Sequence, residues 1–578
     1  MSRPQLVVAR AWPWLLTLLV MAPLLPRGFV LTYDMIFVPD LGFRSDFLGL
    51  GSSLPRAVPS DAVVAVLDEL VPGDVLQKLV LIVALGLAGT GARRLVPSDS
   101  LVAQLSATSL YLWSPFVAER LWIGHWPLLL TYAALPWIYD AARRARAGER
   151  TMPQLVLWLA LASLSAAGGV IAAIFALSCV AGRHDAAVRR SLLVVLAAIA
   201  VNAPWLVAGA LHGGAAVSDA RGVVAFAASG EGLLPLPLTL LGLGGIWNVE
   251  VVPPSREGWM AVVSLVVLLG VSAIGIRRWR SSLLLRDRLG LVLAAALGFL
   301  VAMVGSIAPD TLAWFVAHVP GGGLVRDGSR FVALLAPLAA SLFGVGAAAV
   351  VGRLTERGAR VAAATVLVLV PVALMPDLAF GLGGRLSAVD YPDEYAAARS
   401  AVQDRQDAGV AGDVLLLPFN SYRLPDWNED RRTLDPLGRY LTPNYLASDV
   451  LYVSGKVIAG EDQRAARVAD LLDADLTTDE LARGLEQEGI AWVVLDKQAQ
   501  EQVGDAAPSA DLDGLRLVHD GPRLVVWELP EPTSERATVA TELLMAAAWA
   551  AAVGAVLSCA AILAVRLVQT RPKMRDSA

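Results

Sequence analysis

Continuous apolar blocks recur along the whole chain, and each is about 18–22 residues long. As a helix, a block of this length crosses the hydrocarbon of a bilayer, which is about 30 Å thick. Only helices and closed barrels satisfy their backbone polar groups in lipid, and blocks that are apolar throughout indicate helices. The composition agrees, since 56% of the residues are hydrophobic and 17% are charged. The sequence therefore predicts an α-helical polytopic membrane protein with about twelve transmembrane helices.

Positive charge is unevenly distributed between the connections that join these blocks. Arginine clusters recur in short connections, whereas acidic residues gather in long ones. When every second connection is assigned to the cytoplasm, the arginine clusters fall on one side, as the positive-inside rule requires. We therefore expect a multi-pass protein of the cell membrane with both termini in the cytoplasm. The first span, predicted at 12–30, has no clean cleavage site and is not expected to be a removable signal peptide.

The chain divides into three predicted regions. Residues 1–380 form the multi-span membrane domain, with outer loops at 31–75, 212–258 and 308–330. Residues 381–540 carry an acidic excess and combine short apolar runs with segments of helical spacing, which predicts a folded extracytoplasmic α/β domain. Residues 541–578 hold the last transmembrane helix and a basic cytoplasmic tail.

Individual elements of the α/β domain are also predicted. Short apolar runs rich in β-formers indicate strands at 413–419, 490–496, 515–519 and 523–529. The last two are separated by Asp-Gly-Pro, which is typical of a hairpin turn. Helical spacing indicates helices at 464–472 and 478–488, the second of which opens with a Thr-Thr-Asp-Glu start signal.

Several familiar catalytic signatures are missing from the sequence. There is no phosphate-binding Gly-x-x-x-x-Gly-Lys loop, no His-Glu-x-x-His and no Gly-x-Ser-x-Gly. Cys179 and Cys559 both lie in apolar blocks, and the five histidines are scattered without metal-ligand spacing. We therefore predict no cofactor, no metal site made of His and Cys, and no nucleic-acid partner. A role for another divalent metal ion has no support in the sequence.

The first outer loop offers two candidate catalytic carboxylates. Asp34 lies just past the end of the first predicted span and has apolar neighbours, so it is expected to be partly desolvated. Such a group can act as a general base on a hydroxyl acceptor. Asp34 is the first candidate for this base and Asp40 the second. The alternative is that Asp34 caps a helix or pairs with a nearby arginine.

The second outer loop contains Glu119, Arg120 and His125. A Glu-Arg pair at the end of a span is often only an ion pair that anchors the helix. The alternative is that Glu119 faces the same cavity as Asp34 and supports it. Arg120 and His125, together with His318 in a later loop, are predicted in supporting roles.

Arg326 and Arg330 lie on the outer rim, directly before a predicted span. Two arginines four residues apart can present both guanidinium groups on one face of a helix start. Guanidinium groups suit a phosphate or diphosphate headgroup. The alternative is that both side chains snorkel to lipid phosphates. Because both lie on the side of the membrane that lacks the arginine clusters, we favour binding of a donor phosphate.

Together these features resemble the C-type glycosyltransferase superfamily (GT-C). Its members are multi-span enzymes that use polyprenyl-phosphate-linked sugars, with a catalytic carboxylate in the first outer loop and often a soluble domain late in the chain. The rim segment, Leu-Val-Arg-Asp-Gly-Ser-Arg-Phe at 324–331, is similar to that of actinobacterial arabinofuranosyltransferases. Three further motifs resemble actinobacterial relatives and YfhO-type membrane glycosyltransferases: Leu417-Pro418-Phe419, Tyr422-Arg423 and Leu434-Asp435-Pro436. The Ala-, Val- and Arg-rich composition also suits an actinobacterium.

The resemblance implies a hexosyl- or pentosyltransferase that moves a sugar from a polyprenyl-phosphate donor to a cell-envelope glycan or lipid acceptor. Asp34 would be the base, supported by Asp40 or Glu119. Arg326 and Arg330 would hold the departing phosphate. Membrane lipids would surround the spans.

Two other classes of protein stay open at this stage. The first is a transporter or flippase for lipid-linked envelope intermediates, a class that often has internal repeats and charged or broken helices at the midplane. The second is a non-catalytic envelope-assembly protein. Convergence of Asp34, Glu119 and Arg330 on one cavity would count against the second.

Overall fold

The computed structural model describes residues 2–182, 185–213, 221–319, 321–453, 456–503, 512, 514–532 and 537–569. Part of the predicted outer loop 212–258 and the basic tail at 570–578 lie outside the described residues. The rest is mostly helical, with a sheet-containing region late in the chain.

The region before the sheet is built from eighteen helical segments among the described residues. In chain order they are α1 Arg3–Met21, α2 Ser60–Asp68, α3 Gly73–Ala92, α4 Leu101–Leu112, α5 Pro115–Trp122, α6 Trp126–Arg146, α7 Met152–Ala162, α8 Ala166–Val180, α9 Asp185–His212, α10 Arg221–Ala225, α11 Leu236–Leu241, α12 Pro254–Glu257, α13 Trp259–Ser282, α14 Leu285–Ile307, α15 Pro309–His318, α16 Ala336–Gly352, α17 Arg357–Ala373 and α18 Ala379–Gly384. The predicted outer loops therefore contain short helices of their own, namely α2, α10 to α12 and α15.

Seven helices in the described part of the chain are long and apolar enough to cross a membrane. They are Arg3–Leu24, Gly73–Leu95, Asp185–His212, Trp259–Ser282, Leu285–Ile307, Gly328–Gly352 and Val539–Gln569. An eighth is reached if Arg357–Ala373 and Pro376–Gly384, which are bent by 68°, count as one span. These helices indicate a membrane protein, whereas the count of about twelve spans stays a prediction. Some predicted spans correspond to shorter helices such as α4, α7 and α8.

The first span begins earlier than predicted and ends earlier too. Helix α1 begins at Arg3, and after one 3-10 turn, Ala22–Leu24, the chain leaves the helix. Gly28 has a left-handed φ of 100°, and a Cβ there would lie 2.6 Å from the carbonyl oxygen of Val389. The stretch up to residue 30 is therefore extended chain packed against the later region, although it is as apolar as a span.

Small residues and paired tyrosines hold the helices together. A Cβ on Gly275 would lie 2.5 Å from the Cα of Gly346, so α13 and α16 are in contact through their backbones. Between α4 and α6, the Tyr111 hydroxyl donates to the Tyr132 carbonyl at 2.8 Å and the Tyr132 hydroxyl to the Tyr111 carbonyl at 2.7 Å. Buried polar groups in this region thus find partners on neighbouring helices.

The α/β domain contains a five-stranded sheet in the order β4-β1-β7-β9-β8. β1 is parallel to β4 and β7, whereas β7–β9 and β9–β8 are antiparallel. The strands are β1 Asp413–Leu417, β2 Tyr422–Arg423, β3 Thr433–Leu434, β4 Tyr445–Leu446, β5 Leu451–Val453, β6 Lys456–Ile458, β7 Ile490–Asp496, β8 Arg516–Asp520 and β9 Leu524–Glu528. The helices are α19 Asp393–Asp407, α20 Leu437–Tyr440, α21 Gln463–Asp473, α22 Thr478–Gln487, α23 Lys497–Val503 and the final span α24 Val539–Gln569.

The predicted strands and helices of this domain are confirmed to within a few residues. The start signal of α22 works as expected, since Thr477 accepts from the Glu480 amide and Glu480 accepts from the Thr477 amide. Strand β1 is buried on both faces. Leu415 and Leu417 pack against α21 and α22, whereas Val414 and Leu416 join the core that continues into the membrane region. The sheet is thus covered on both sides at β1, whereas the edge strand β8 is largely exposed.

Candidate active site

A cavity of about 600 Å³ lies where the segment after α1, the rim before α16 and the α/β domain meet. Its volume is in the range of sites that hold small molecules. Among the residues that line it are Asp34, His125, Arg326, Asp327, Arg330 and Tyr422. Four of the residues predicted from the sequence are therefore brought to one place.

Residues 29–34 form an extended segment whose alternate residues bond opposite sides of the molecule, as in a strand. Three residues bond the α/β domain: Phe29 pairs with Val389, the Leu31 carbonyl accepts from Asn428, and Tyr33 bonds Arg432 and Leu434 through its backbone. The intervening residues bond the membrane region: Val30 with the Gln77 side chain, Thr32 with the Trp122 carbonyl, and the Asp34 amide with the Ile123 carbonyl at 3.1 Å. The backbone that carries Asp34 is therefore held from both sides.

The Asp34 carboxylate accepts two side-chain hydrogen bonds. The Tyr422 hydroxyl donates to Oδ1 at 2.7 Å, and Nε2 of His125 lies 3.1 Å from Oδ2. The Asp34 side chain is still 36% exposed. The carboxylate is thus oriented by the protein and open to the cavity.

His125 is neutral and donates to Asp34. Its Nδ1 lies 3.3 Å from an amino group of Arg120, which can only donate, so Nδ1 must accept and Nε2 must carry the proton. Burial lowers the pKa of His125, Arg330 and Arg120 act in the same direction, and Asp34 opposes them. His125 therefore acts as a hydrogen-bond donor with no charge.

The Asp34 carboxylate is ionised. Burial acts to raise its pKa, but His125, the Tyr422 hydroxyl and the charge of Arg330 outweigh burial and hold the pKa below its ordinary value. A carboxylate in this state is unprotonated across physiological pH and can accept a proton.

Arg120 connects this group to the rim. Its side chain is fully buried, and one amino group donates to the Ser329 hydroxyl at 2.6 Å. The Asp327 carboxylate lies 3.8 Å from Arg120 and accepts from Nε of Arg330 at 2.8 Å. Burial opposes ionisation of Asp327, but Arg330, Arg120 and Ser329 lower its pKa to about 2. A continuous polar chain thus leads from Asp34 to Arg330.

Arg326 and Arg330 both line the cavity, although not from one helix as their spacing predicts. Arg326 lies between two 3-10 helices, Gly322–Val325 and Gly328–Leu334. It donates to Glu461 at 2.6 Å, and its guanidinium carbon lies 4.6 Å from the ring centre of Phe226. The rim is irregular at this point, and its tertiary packing brings both arginines to the cavity.

Two predicted site residues lie elsewhere. The Asp40 side chain is 65% exposed and pairs with Arg399 at 2.5 Å, so it is not part of the cavity lining. His318 is exposed at the end of α15, where its ring stacks on Trp314 and Nδ1 bonds the Trp314 carbonyl. Neither residue is in a position to support Asp34.

Glu119 is buried behind the cavity and does not line it. Its neighbours are the Glu231 carboxylate and Arg256, and Glu231 is paired with Arg256 at 2.8 Å. Burial raises the pKa of Glu119 well above its ordinary value, and the negative charge of Glu231 raises it further. Arg120 and Arg256 oppose this rise, and the net direction favours the protonated form of Glu119. Its expected ion pair with Arg120 is replaced by the bonds of Arg120 to the rim.

This protonation predicts how Glu119→Gln will behave. Because the folded-state pKa lies above the unfolded value of 4.5, the folded state binds more protons above that pH. Wild-type stability should therefore fall as pH rises from about 4.5 towards the raised pKa, and glutamine, which cannot ionise, should remove this fall. We expect the melting temperature of the variant to gain on the wild type over the pH range from about 5 up to the raised pKa.

Thermal unfolding in detergent across this range measures the effect. The exposed Glu69→Gln is the matched control and should follow the wild type. Parallel curves for wild type and Glu119→Gln would mean that Glu119 is ionised in the folded protein.

The sequence-based predictions missed several groups at the cavity. Tyr422 lies in a motif to which the sequence assigns no role, and Asp327 lies between the two predicted phosphate-binding arginines. The hydroxyl of Tyr33 donates to Glu250 at 2.6 Å, and Arg432 lies 3.1 Å from the same carboxylate. These contacts join residues far apart in the chain, so spacing carried no signal for them. The Tyr-Arg motif at 422–423 was the one available pointer to Tyr422.

Within the described part of the chain, no group of three or more His, Cys, Asp or Glu side chains could hold a metal ion. Cys179 and Cys559 are both free thiols.

This architecture matches solved structures of known proteins, although the sequence has no such match. No family model matches the chain, and no curated protein is significantly similar in sequence. The cryo-EM structure of the arabinofuranosyltransferase AftD from Mycobacteria superimposes with a TM-score of 0.52 at 15% identity, over 93% of this chain. The chain spans 40% of the length of AftD.

Two further solved structures match more loosely. The archaeal oligosaccharyltransferase AglB from Archaeoglobus fulgidus has a TM-score of 0.39 at 11% identity, covering 88% of this chain and 72% of its own. ArnT from Cupriavidus metallidurans has a TM-score of 0.36 at 14% identity, covering 92% and 99%. The superposition on AftD shows that this chain shares the fold of that arabinofuranosyltransferase.

Proposed function

We propose that this protein transfers a sugar from a polyprenyl-phosphate-linked donor to a cell-envelope glycan or lipid acceptor on the extracytoplasmic face of the membrane. One observation carries the proposal: an ionised, doubly hydrogen-bonded Asp34 carboxylate opens to the same cavity as Arg326 and Arg330. The GT-C fold supports the general kind of reaction, and the cavity residues support the particular roles.

Asp34 is the proposed general base. It takes the proton of an acceptor hydroxyl while the hydroxyl oxygen attacks the anomeric carbon of the donor sugar. The bond from that carbon to the phosphate oxygen breaks, and its electron pair leaves with the phosphate. The products are a new glycosidic bond and a polyprenyl phosphate, and the proton stays on Asp34. His125 and Tyr422 hold the two carboxylate oxygens during this step.

Arg326 and Arg330 are the proposed phosphate-binding residues. Negative charge grows on the leaving phosphate as the bond breaks, so fixed guanidinium groups stabilise the transition state more than the bound donor. Arg330 is one-third exposed at the cavity, and Asp327 holds its Nε. Arg326 would exchange its partner Glu461 for the phosphate, which links donor binding to the α/β domain.

Other residues of the cavity lining carry groups that suit a glycan. Asp46 and Asp61 supply carboxylates, which are paired with Arg44 and Arg439, and Tyr445 supplies an aromatic ring. These residues come from the first loop and from the α/β domain. They support an acceptor that binds in the same cavity as the donor phosphate.

A deletion strain rescued with wild type or with Asp34→Asn tests the proposal. We expect the deletion strain to lack one envelope sugar and the wild type alone to restore it, with equal expression of the two proteins verified in membranes. Sugar composition of the purified envelope is the measurement. Restoration by both proteins would remove Asp34 as the base, and an unchanged envelope would count against the transferase.

Permeabilised membranes separate transfer from transport. With both faces accessible, incorporation of label from the corresponding polyprenyl-phosphate sugar should still require the protein. Equal incorporation in permeabilised deletion-strain membranes would favour a transporter of the lipid-linked intermediate.

A further inference from the structure

The hydroxyl of Tyr422 provides one of the two side-chain hydrogen bonds to Asp34, and it comes from the α/β domain. Tyr422 begins β2, which pairs with β3 so that Tyr422 faces Leu434 and Arg423 faces Thr433. The first loop extends this small sheet, because Tyr33 forms a parallel β-bridge with Thr433 of β3. The carboxylate and the hydroxyl that orients it therefore belong to one hydrogen-bonded unit.

The β2 segment is anchored firmly inside the domain. Arg423 is buried and donates to the Pro418 carbonyl at 2.9 Å and the Asn420 carbonyl at 2.8 Å. It also lies 2.7 Å from the Asp435 carboxylate. Tyr422 thus stands on a short strand with little freedom to move.

We propose that Tyr422 is a positioning residue for Asp34, and that the α/β domain completes the catalytic site in addition to contacting the acceptor. The inference rests on the proposed function of Asp34 as the base. His125 holds Oδ2 from the membrane region and Tyr422 holds Oδ1 from the domain, so both halves of the molecule set the plane of the carboxylate. Displacement of the α/β domain would break the hydrogen bond from Tyr422 to Asp34.

The phenol is a suitable donor because it stays protonated. Burial raises the pKa of Tyr422 well above its ordinary value, and the charge of Asp34 raises it further. The groups that face the Asp34 carboxylate are Tyr422 from β2, His125 from the turn before α6 and Arg330 from the rim. Removing the phenol hydroxyl leaves the other two in place.

Tyr422→Phe is the first test. We expect kcat to fall roughly ten- to a hundredfold because the carboxylate loses its fixed plane, with KM for the donor nearly unchanged. The acid limb of kcat/KM should move to higher pH by about one pH unit, because a donor that favours the ionised carboxylate has been removed. The assay uses radiolabelled polyprenyl-phosphate linked to the sugar that the deletion strain lacks, with deletion-strain envelope as acceptor.

A second variant gives a shift of opposite sign. Site-specific 3-fluorotyrosine at position 422 keeps the hydroxyl and makes it a stronger donor, so the acid limb should move to lower pH. A residue that only supported the fold would not produce shifts in opposite directions. If Tyr422→Phe unfolds at a lower temperature than the wild type, the fluorotyrosine protein becomes the test. An acid limb of kcat/KM that does not move in the fluorotyrosine protein overturns the inference.

Tyr139→Phe is the matched control. Tyr139 lies in α6, and its buried hydroxyl has no hydrogen-bond partner among the described residues, so kcat and the pH profile should match the wild type. If Asp34→Asn is inactive while Tyr422→Phe has wild-type kcat and an unmoved acid limb, only the positioning role fails. If Asp34→Asn retains full activity, the proposed base itself fails.

Discussion

Asp34→Asn is expected to lower kcat for sugar transfer by about 10²–10⁴-fold, the range that a general base contributes. Asparagine keeps the size of the side chain but cannot take up the proton of the acceptor hydroxyl. Its amide nitrogen would also face a donor, either the Tyr422 hydroxyl or Nε2 of His125. Binding of the donor phosphate uses the arginines on the rim, so KM for the donor should change little. Initial rates in isolated membranes measure both constants.

Asp40→Asn is the matched control for this prediction. It makes the same chemical change six positions along the same loop, at a side chain that is exposed and paired with Arg399. We expect its activity to remain close to wild type. A larger loss in Asp40→Asn than in Asp34→Asn would reverse the assignment of the base.

Arg120→Met is expected to lower the free energy of unfolding by about 3–5 kcal/mol, as is typical when one partner of a buried ion pair is removed. The Arg120 side chain is fully buried between His125, Ser329 and Asp327. Methionine fills part of the space but donates no hydrogen bonds. The Asp327 carboxylate then keeps only Arg330 and Ser329 as hydrogen-bond donors. Thermal and denaturant unfolding in detergent measures the loss.

Two further variants show whether the loss comes from the buried charge. Arg467→Met removes an arginine that is 56% exposed and pairs with Glu488, and such an exposed pair is worth about 0–1 kcal/mol. Adding Asp327→Asn to Arg120→Met should restore part of the stability, because the buried carboxylate that has lost one of its two cationic partners is also removed. Equal losses of stability in Arg120→Met and Arg467→Met would contradict the prediction that Arg120 stabilises the protein through a buried ion pair.

The sequence alone determined the features that depend on neighbours along the chain. Apolar length predicted a helical membrane protein, because a helix rises by a constant amount per residue and lipid leaves few alternatives. The Thr-Thr-Asp-Glu start of α22 and the hairpin between β8 and β9 were readable for the same reason, since caps and turns are local. Asp34, His125, Arg326 and Arg330 are predicted as site residues for a similar reason, since they are polar residues next to apolar blocks.

Only the tertiary structure decided which of the candidates meet. The sequence offered Asp34 and Asp40 as first and second candidates from the same loop, and the structure separates them. Asp34 faces the cavity and Asp40 faces solvent, because residues 29–34 are held between two halves of the molecule. Glu231 is the neighbouring carboxylate whose charge raises the pKa of Glu119, and it lies on a turn that is distant in the sequence. Tyr422 is 388 residues from the carboxylate that it orients. Contacts of this kind depend on packing between remote segments, which local propensity and spacing do not encode.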